Sequence, residues 1–240
     1  MTHLHIPDGV LPPWLWLSGA AVAAILILVA ARTLSKPPFA RKLPLLSMTA
    51  AFVIVAMSIP VIPGYDIQLA AVAGIILGPA AAMIAAFVIN LLLALIGHGG
   101  ITVVGLNALI LSAEMIAGWA LFRVLSRALS PALAGGISAF LAMTVSTGLM
   151  IGVVALGASA VGQVPLENVV VIGAPHHEGG MQAAHGGELR NLSLRRFAAM
   201  VLALGAVGWP IESFISAVVI RFAARVKPDL VGLAPTYEPV

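Results

Sequence analysis

The stretch Leu69-Ala70-Ala71-Val72-Ala73-Gly74-Ile75-Ile76-Leu77-Gly78-Pro79-Ala80-Ala81-Ala82-Met83-Ile84 lies in an apolar run over 67–97 that is too long for one simple membrane crossing. Proline has no N–H and restricts the residue before it. Gly78-Pro79 therefore divides the run into helices over 67–77 and 80–97. The first piece is short. Such a piece is tolerated in a bilayer only where its backbone polar groups face protein or a wet cavity, so the break marks either a site or a plain turn.

Outward from this stretch, apolar runs cover 14–31, 43–62, 103–126, 133–161 and 197–222, making seven helices with one short. Each run is rich in Ala, Leu, Val, Ile and Gly and lacks the period-2 alternation of a lipid-facing barrel strand. Hydrophobic residues make up 61% of the 240 residues and charged residues 9%. The mean hydropathy is +1.10, far from the balance of a soluble domain. The expected fold is an all-α integral membrane protein, one membrane domain over 1–240 with a head at 1–13 and a long loop at 162–196.

The basic residues orient this bundle. Arg32, Lys36, Arg41 and Lys42 follow the first helix, Arg123 and Arg127 the fifth, and Arg221, Arg225 and Lys227 the seventh. With seven spans all of them share one side, which the positive-inside bias makes cytoplasmic. The N-terminus is then outside and the C-terminus inside, in a multi-pass protein of the plasma (inner) membrane. Arg190, Arg195 and Arg196 are exceptions tolerated in a long outer loop. No basic segment precedes the first helix, so it is not expected to be a removable signal peptide.

On this topology His3, His5, His98, His176, His177 and His185 all fall outside. The head Met1-Thr2-His3-Leu4-His5-Ile6-Pro7-Asp8-Gly9 joins a backbone amine and two imidazoles to the first helix. An amine followed closely by His forms fused chelate rings through amine, deprotonated amides and imidazole, a square-planar nitrogen set suited to Ni(II) or Cu(II). Pro7-Asp8-Gly9 suits a turn that folds the head back onto the mouth of the bundle. The outer loop carries Pro175-His176-His177-Glu178-Gly179-Gly180-Met181 and His185-Gly186-Gly187-Glu188, which either attracts a divalent metal or is a solvated Gly-rich loop. His98, in the turn Gly97-His98-Gly99-Gly100, is either a ligand or a solvated surface residue. Cysteine is absent, so metal must be held by nitrogen, oxygen or thioether donors.

Asn90, Asn107, Glu114 and Glu212 lie within apolar helices. A carboxylate in hydrocarbon is costly and must face the bundle and find a partner. Asn107, Glu114 and Glu212 either stand behind a metal or partner site or hydrogen-bond helices together; for Asn90 the second reading is preferred. The chain has no phosphate-cradling G-x-x-x-x-G-K-[ST], no recognisable Ser nucleophile motif and no H-E-x-x-H pair. Energy for transport must come from elsewhere, and the chain is not expected to be an enzyme.

His5-Ile6-Pro7-Asp8-Gly9, Ile59-Pro60-Val61-Ile62-Pro63-Gly64, Leu77-Gly78-Pro79, the turn from Gly97 to Gly100, Gly105-Leu106-Asn107 and Glu212 together resemble, in the family's order, the substrate-binding (S) subunit of cobalt and nickel energy-coupling-factor transporters. The resemblance implies a seven-helix subunit that takes Ni(II) or Co(II) from outside and binds no nucleotide itself. Its partners would be a membrane coupling (T) subunit, two cytoplasmic ATP-binding subunits and a small accessory membrane subunit. Cobalt taken up this way would serve cobalamin biosynthesis.

Two departures separate the chain from the family pattern. Three extra residues precede the motif, placing His5 at the family position and His3 upstream. The ligating His common after the second helix is missing from Gly64-Tyr65-Asp66-Ile67-Gln68. Met1, Thr2 and His3 can compensate with an amine, two amides and an imidazole; if Met1 is removed, His5 or Asp66 must complete the site. His5 and Asp66 are accordingly expected to lie close together. The alternatives are a stand-alone carrier or channel, needing ionisable residues along a whole path, and a membrane metalloenzyme, needing an open coordination position. Small residues Ala20, Ala24 and Ala31 on the first helix, and Ala51 and Val55 on the second, would let a partner helix approach closely.

Overall fold

The computed structural model describes residues 6, 8–9, 11–35, 43–58, 60–62, 65–161 and 194–233. Among them are seven α-helices: α1 (Pro13–Leu34), α2 (Leu43–Met57), α3 (Ala70–Leu77), α4 (Pro79–Leu95), α5 (Val104–Leu125), α6 (Pro131–Val161) and α7 (Leu194–Val226). A two-stranded hairpin, β1 (Pro60–Ile62) and β2 (Tyr65–Asp66), separates α2 from α3, and a 3₁₀ turn at Pro228–Val231 follows α7. Pro13, Pro79 and Pro131 each open a helix, where the missing N–H has no intrahelical partner to lose.

The helix pattern agrees with the sequence reading, with one local difference. The run expected to be helical over 43–62 ends at Met57 and then turns back as the hairpin. Ile59 precedes Pro60, and a residue before proline is pushed away from the α region, so hydropathy alone carried the expected helix too far.

α1, α5, α6 and α7 are long and apolar enough to cross a membrane, whereas α2 and α4 are shorter apolar helices. The flanks of these helices turn large apolar side chains outward, including Leu17, Ile25, Phe52, Phe214 and Phe222, as a lipid-facing surface requires. α3 differs. It has 8 residues, about 12 Å of rise, and Ala70, Ala71, Val72, Ala73, Gly74, Ile75 and Leu77 are all buried. A helix apolar and buried all round is a core element, and α2, α4, α5, α6 and α7 surround it.

α5 is the hub, packing against α1, α3, α4 and α6. Its approach to α3 is backbone-close: a Cβ on Gly74 would overlap the Met115 carbonyl, and one on Gly118 would stand 2.9 Å from the Ala71 Cα. Small residues are what permit two helices to close to this distance. Gly78 joins α3 to α4 at φ +76°, a conformation strained for any residue with a Cβ. The break in the 67–97 run is thus a turn, while the polar groups gather at the other end of α3.

At the far end of α5, Phe122 packs with Ile220 of α7, Ala134 of α6 and Val231 of the 3₁₀ turn. Arg123 lies 5.6 Å from the centre of the Trp119 ring, a cation–π contact at the same end.

Candidate functional site

The N-terminal strap is folded onto the bundle through its backbone. Ile6 is 3% exposed and packs with Leu11, Leu15, Val103, Leu106, Met150, Val154, Phe197 and Val201. The buried amide of Asn107 clasps it from both sides: the Ile6 N–H donates to Oδ1 at 3.1 Å, and Nδ2 donates to the Ile6 carbonyl at 3.1 Å. The Gly100 N–H also donates to that carbonyl, at 3.3 Å. An amide side chain has one acceptor and one donor side, so it completes a peptide group much as a neighbouring strand would.

Asp8 fastens the next turn of the strap. Its carboxylate accepts the Ile101 N–H at 2.9 Å, the Thr102 N–H at 2.8 Å and the Thr102 hydroxyl. Burial pushes this carboxyl up, but the Thr102 hydroxyl and the backbone N–H groups of Thr102, Ile101 and Val103 outweigh it and hold it below the usual carboxylate range. Gly100 leaves room for this contact, since a Cβ there would collide with the Asp8 backbone and carboxyl. The fold-back expected of the head is therefore present at Ile6 and Asp8. Asn107, which the sequence left between a role behind the site and helix glue, holds the strap.

A second polar cluster lies in the centre of the bundle. Glu114 of α5 and Glu212 of α7 are each 1% exposed. Gln68 Nε2 donates to both Glu114 oxygens, at 3.0 and 2.9 Å, and the Ser146 hydroxyl of α6 donates to Oε2 at 2.5 Å. Glu212 Oε1 accepts the Leu69 N–H at 2.8 Å. Leu69 has φ +53°, unusual for a branched residue, and this bond fixes the N–H that precedes α3. Four segments (the loop before α3, α5, α6 and α7) thus converge on two carboxylates, satisfying groups that would otherwise be costly in a bilayer. Pro210, two residues before Glu212, has no N–H to donate to the Ala206 carbonyl within α7.

Gln68 and Ser146 went unnoticed in the sequence. Gln68 was visible only as one of the residues standing where a His was missing; its signal was a polar side chain immediately before a wholly apolar helix. Asn90 donates to the Ala86 carbonyl of its own helix at 2.8 Å and its Oδ1 is buried without a hydrogen-bond partner among the described residues, so it does not tie two helices together as expected. Met1, Thr2, His3, His5, His176, His177 and His185 lie outside the described residues. Asp66 stands in β2, half-buried. His98 is half-buried on the turn after α4, and its Nδ1 is buried without a hydrogen-bond partner among the described residues. Among the described residues no three His, Asp or Glu side chains form a metal-holding group.

Crossing helices with lipid-facing flanks, a half-helix sunk among them and a strap pinned across one end define a multi-pass membrane protein. The family model described as "Cobalt uptake substrate-specific transmembrane region" matches residues 5–230, and the chain belongs to that family. The crystal structure of a truncated transition metal transporter is similar at a TM-score of 0.70 and 24% identity, covering 92% of this chain and 98% of that one. A second transition metal transporter structure matches at a TM-score of 0.71 and 23% identity, covering 92% and 93%. At these identities the likeness establishes the fold. No curated relative matches the sequence.

Proposed function

We propose that this chain is the metal-capturing subunit of an ATP-driven uptake transporter of the energy-coupling-factor type, taking Ni(II) or Co(II) from outside. The observation that carries this reading is the strap: residues that follow His3 and His5 directly are clasped by Asn107 and Asp8 onto the end of the bundle. A chelating head tethered to this docked stretch would have less conformational freedom to lose on binding than one on a loose terminus. In this reading the N-terminus is outside, the C-terminus cytoplasmic, and the bilayer is the plasma membrane.

Release requires a partner, because tight capture must be undone by distorting the site and the chain carries no phosphate cradle with which to use ATP. The proposed partners are a membrane coupling subunit, two cytoplasmic ATP-binding subunits and a small accessory membrane subunit. Ala24 and Ala51 are exposed on α1 and α2 and are available to a partner helix, whereas Ala20 is occupied by α5, where Gly105 allows its close approach. Where the cargo is cobalt, its destination is cobalamin biosynthesis.

The test is radiolabelled Ni(II) and Co(II) uptake in cells carrying this chain with and without the coupling and ATP-binding subunits. Concentrative uptake is expected only with all of them. Uptake of the same rate and extent by the chain alone, in vesicles without an ion gradient, would refute the assignment.

A further inference from the structure

The last turns of α7 carry a surface that metal capture does not use. At 3.6 residues per turn, Phe214, Val218, Arg221, Phe222 and Arg225 fall within one arc of about 100° on the side of the helix. Ile220, Ala223 and Ala224 lie on the far side and pack with Phe122 and Ala134 in the bundle. Phe214, Val218 and Phe222 are exposed large apolar side chains, and Arg221 and Arg225 are exposed on the same face. Along the helix axis this face begins apolar at Phe214 and ends with two guanidinium groups one turn apart.

Neither arginine has a carboxylate partner among the described residues. Their surroundings are cationic as well: Arg123, Arg127 and Lys227 stand at the same end of the bundle, where Asp229 is the one described carboxylate. Four residues of helix separate Arg221 from Arg225 by about 6 Å, so both long side chains reach one phosphodiester group, to which each presents a planar fork of donors. A protein partner for this face would need an apolar surface and, one turn further on, unpaired carboxylates. A phospholipid joins the two parts covalently in the required order, acyl chain and then phosphate. We infer that the face from Phe214 to Arg225 is a binding site for one anionic phospholipid, its acyl chain along Phe214, Val218 and Phe222 and its phosphate held by Arg221 and Arg225. The excess of cations at this end selects a headgroup of net negative charge over a zwitterionic one. The site stands apart from metal capture, since the strap is pinned at the opposite end of α5, by Asn107.

The test uses the full-length chain in detergent, incubated with equal amounts of phosphatidylglycerol and phosphatidylcholine bearing the same acyl chains, with retained lipid counted by native mass spectrometry. The unaltered chain should retain phosphatidylglycerol in preference. An arginine beside an anionic headgroup is worth about fivefold in affinity, so Arg221→Gln and Arg225→Gln together should weaken phosphatidylglycerol binding about 25-fold. Arg195→Gln, which removes an exposed arginine at the other end of α7, should leave it unchanged. Replacing both Arg221 and Arg225 with Lys keeps the charge and should keep the preference. Thermal midpoints near that of the unaltered chain establish that these surface variants are folded. Equal retention of the two lipids by the unaltered chain overturns the assignment without any variant. A loss in Arg195→Gln as large as in the double glutamine variant overturns it as an effect of net charge alone. Displacement of bound lipid by an equal concentration of glycerol phosphate, which has no acyl chain, overturns it in favour of a bare phosphate site. Undiminished phosphatidylglycerol in a double glutamine variant that no longer copurifies with the coupling subunit overturns it and makes this face a protein interface.

Discussion

Replacing Asn107 with Ala is the most direct way to release the strap. The side chain is 6% exposed and makes two hydrogen bonds to one residue, both at 3.1 Å, while the Ile6 carbonyl keeps a longer bond from Gly100. Each such bond contributes about 0.5–1.5 kcal/mol net, so the pair is worth about 1–3 kcal/mol of docking free energy. At about 1.4 kcal/mol per factor of ten, the docking equilibrium should weaken roughly 5- to 150-fold. Backbone hydrogen exchange of the peptide containing Ile6 reads this directly, with protection falling by the same factor if exchange proceeds through undocking. If metal capture needs the docked strap, apparent Ni(II) or Co(II) affinity falls by the fraction undocked. Asn90→Ala is the matched control, a buried amide whose described bond stays within its own helix. Unchanged protection in Asn107→Ala, or an equal loss in both variants, would refute the clasp.

Further expectations concern Asp8, the α3–α5 crossing and the buried carboxylates. Because the Asp8 carboxyl is held below its ordinary 3.8, docking contributes stability that is fully present above pH 3.8 and is lost as the pH falls through the lower folded value; the protection factor of the strap amides, referred to the intrinsic exchange rate at each pH, should therefore stay flat from neutral pH down to about 3.8 and fall below it. Gly74→Ala places a methyl on the Met115 carbonyl and should cost at least about 3 kcal/mol, seen as a large drop in thermal midpoint. Gly148→Ala, with nothing within 4 Å of the new Cβ, should leave that midpoint unchanged or raise it slightly. Glu114→Leu strips the acceptor from Gln68 and Ser146 and should destabilise by about 1–3 kcal/mol per buried donor left unpaired, measured by urea or thermal unfolding in detergent. Ala24→Trp or Ala51→Trp should block uptake by the assembled complex while leaving metal binding by the isolated chain intact, since both side chains are exposed; normal uptake would place the partner elsewhere.

The sequence by itself determined the membrane class and the seven-helix count. Both are one-dimensional: a bilayer demands long apolar segments with internally satisfied backbones, and proline punctuates them at fixed places, as at Gly78-Pro79. It also singled out the strap, the turn at Gly97–Gly100 and Asn107, Glu114 and Glu212, because polar groups in an apolar chain are conspicuous. What each polar group binds was decided only by the tertiary structure. Asn107 meets Ile6 across 101 positions of chain and Glu212 meets the Leu69 N–H across 143, pairings that no local pattern encodes. Hydropathy likewise could not tell lipid from protein surroundings: α3 and α1 read alike as apolar, yet α3 is enclosed by other helices while α1 turns Leu17, Ile25 and Leu28 outward. The physical reason is that lipid tails and apolar side chains are nearly equivalent solvents, so only close backbone approach, permitted here by Gly74 and Gly118, selects which apolar helix lies inside.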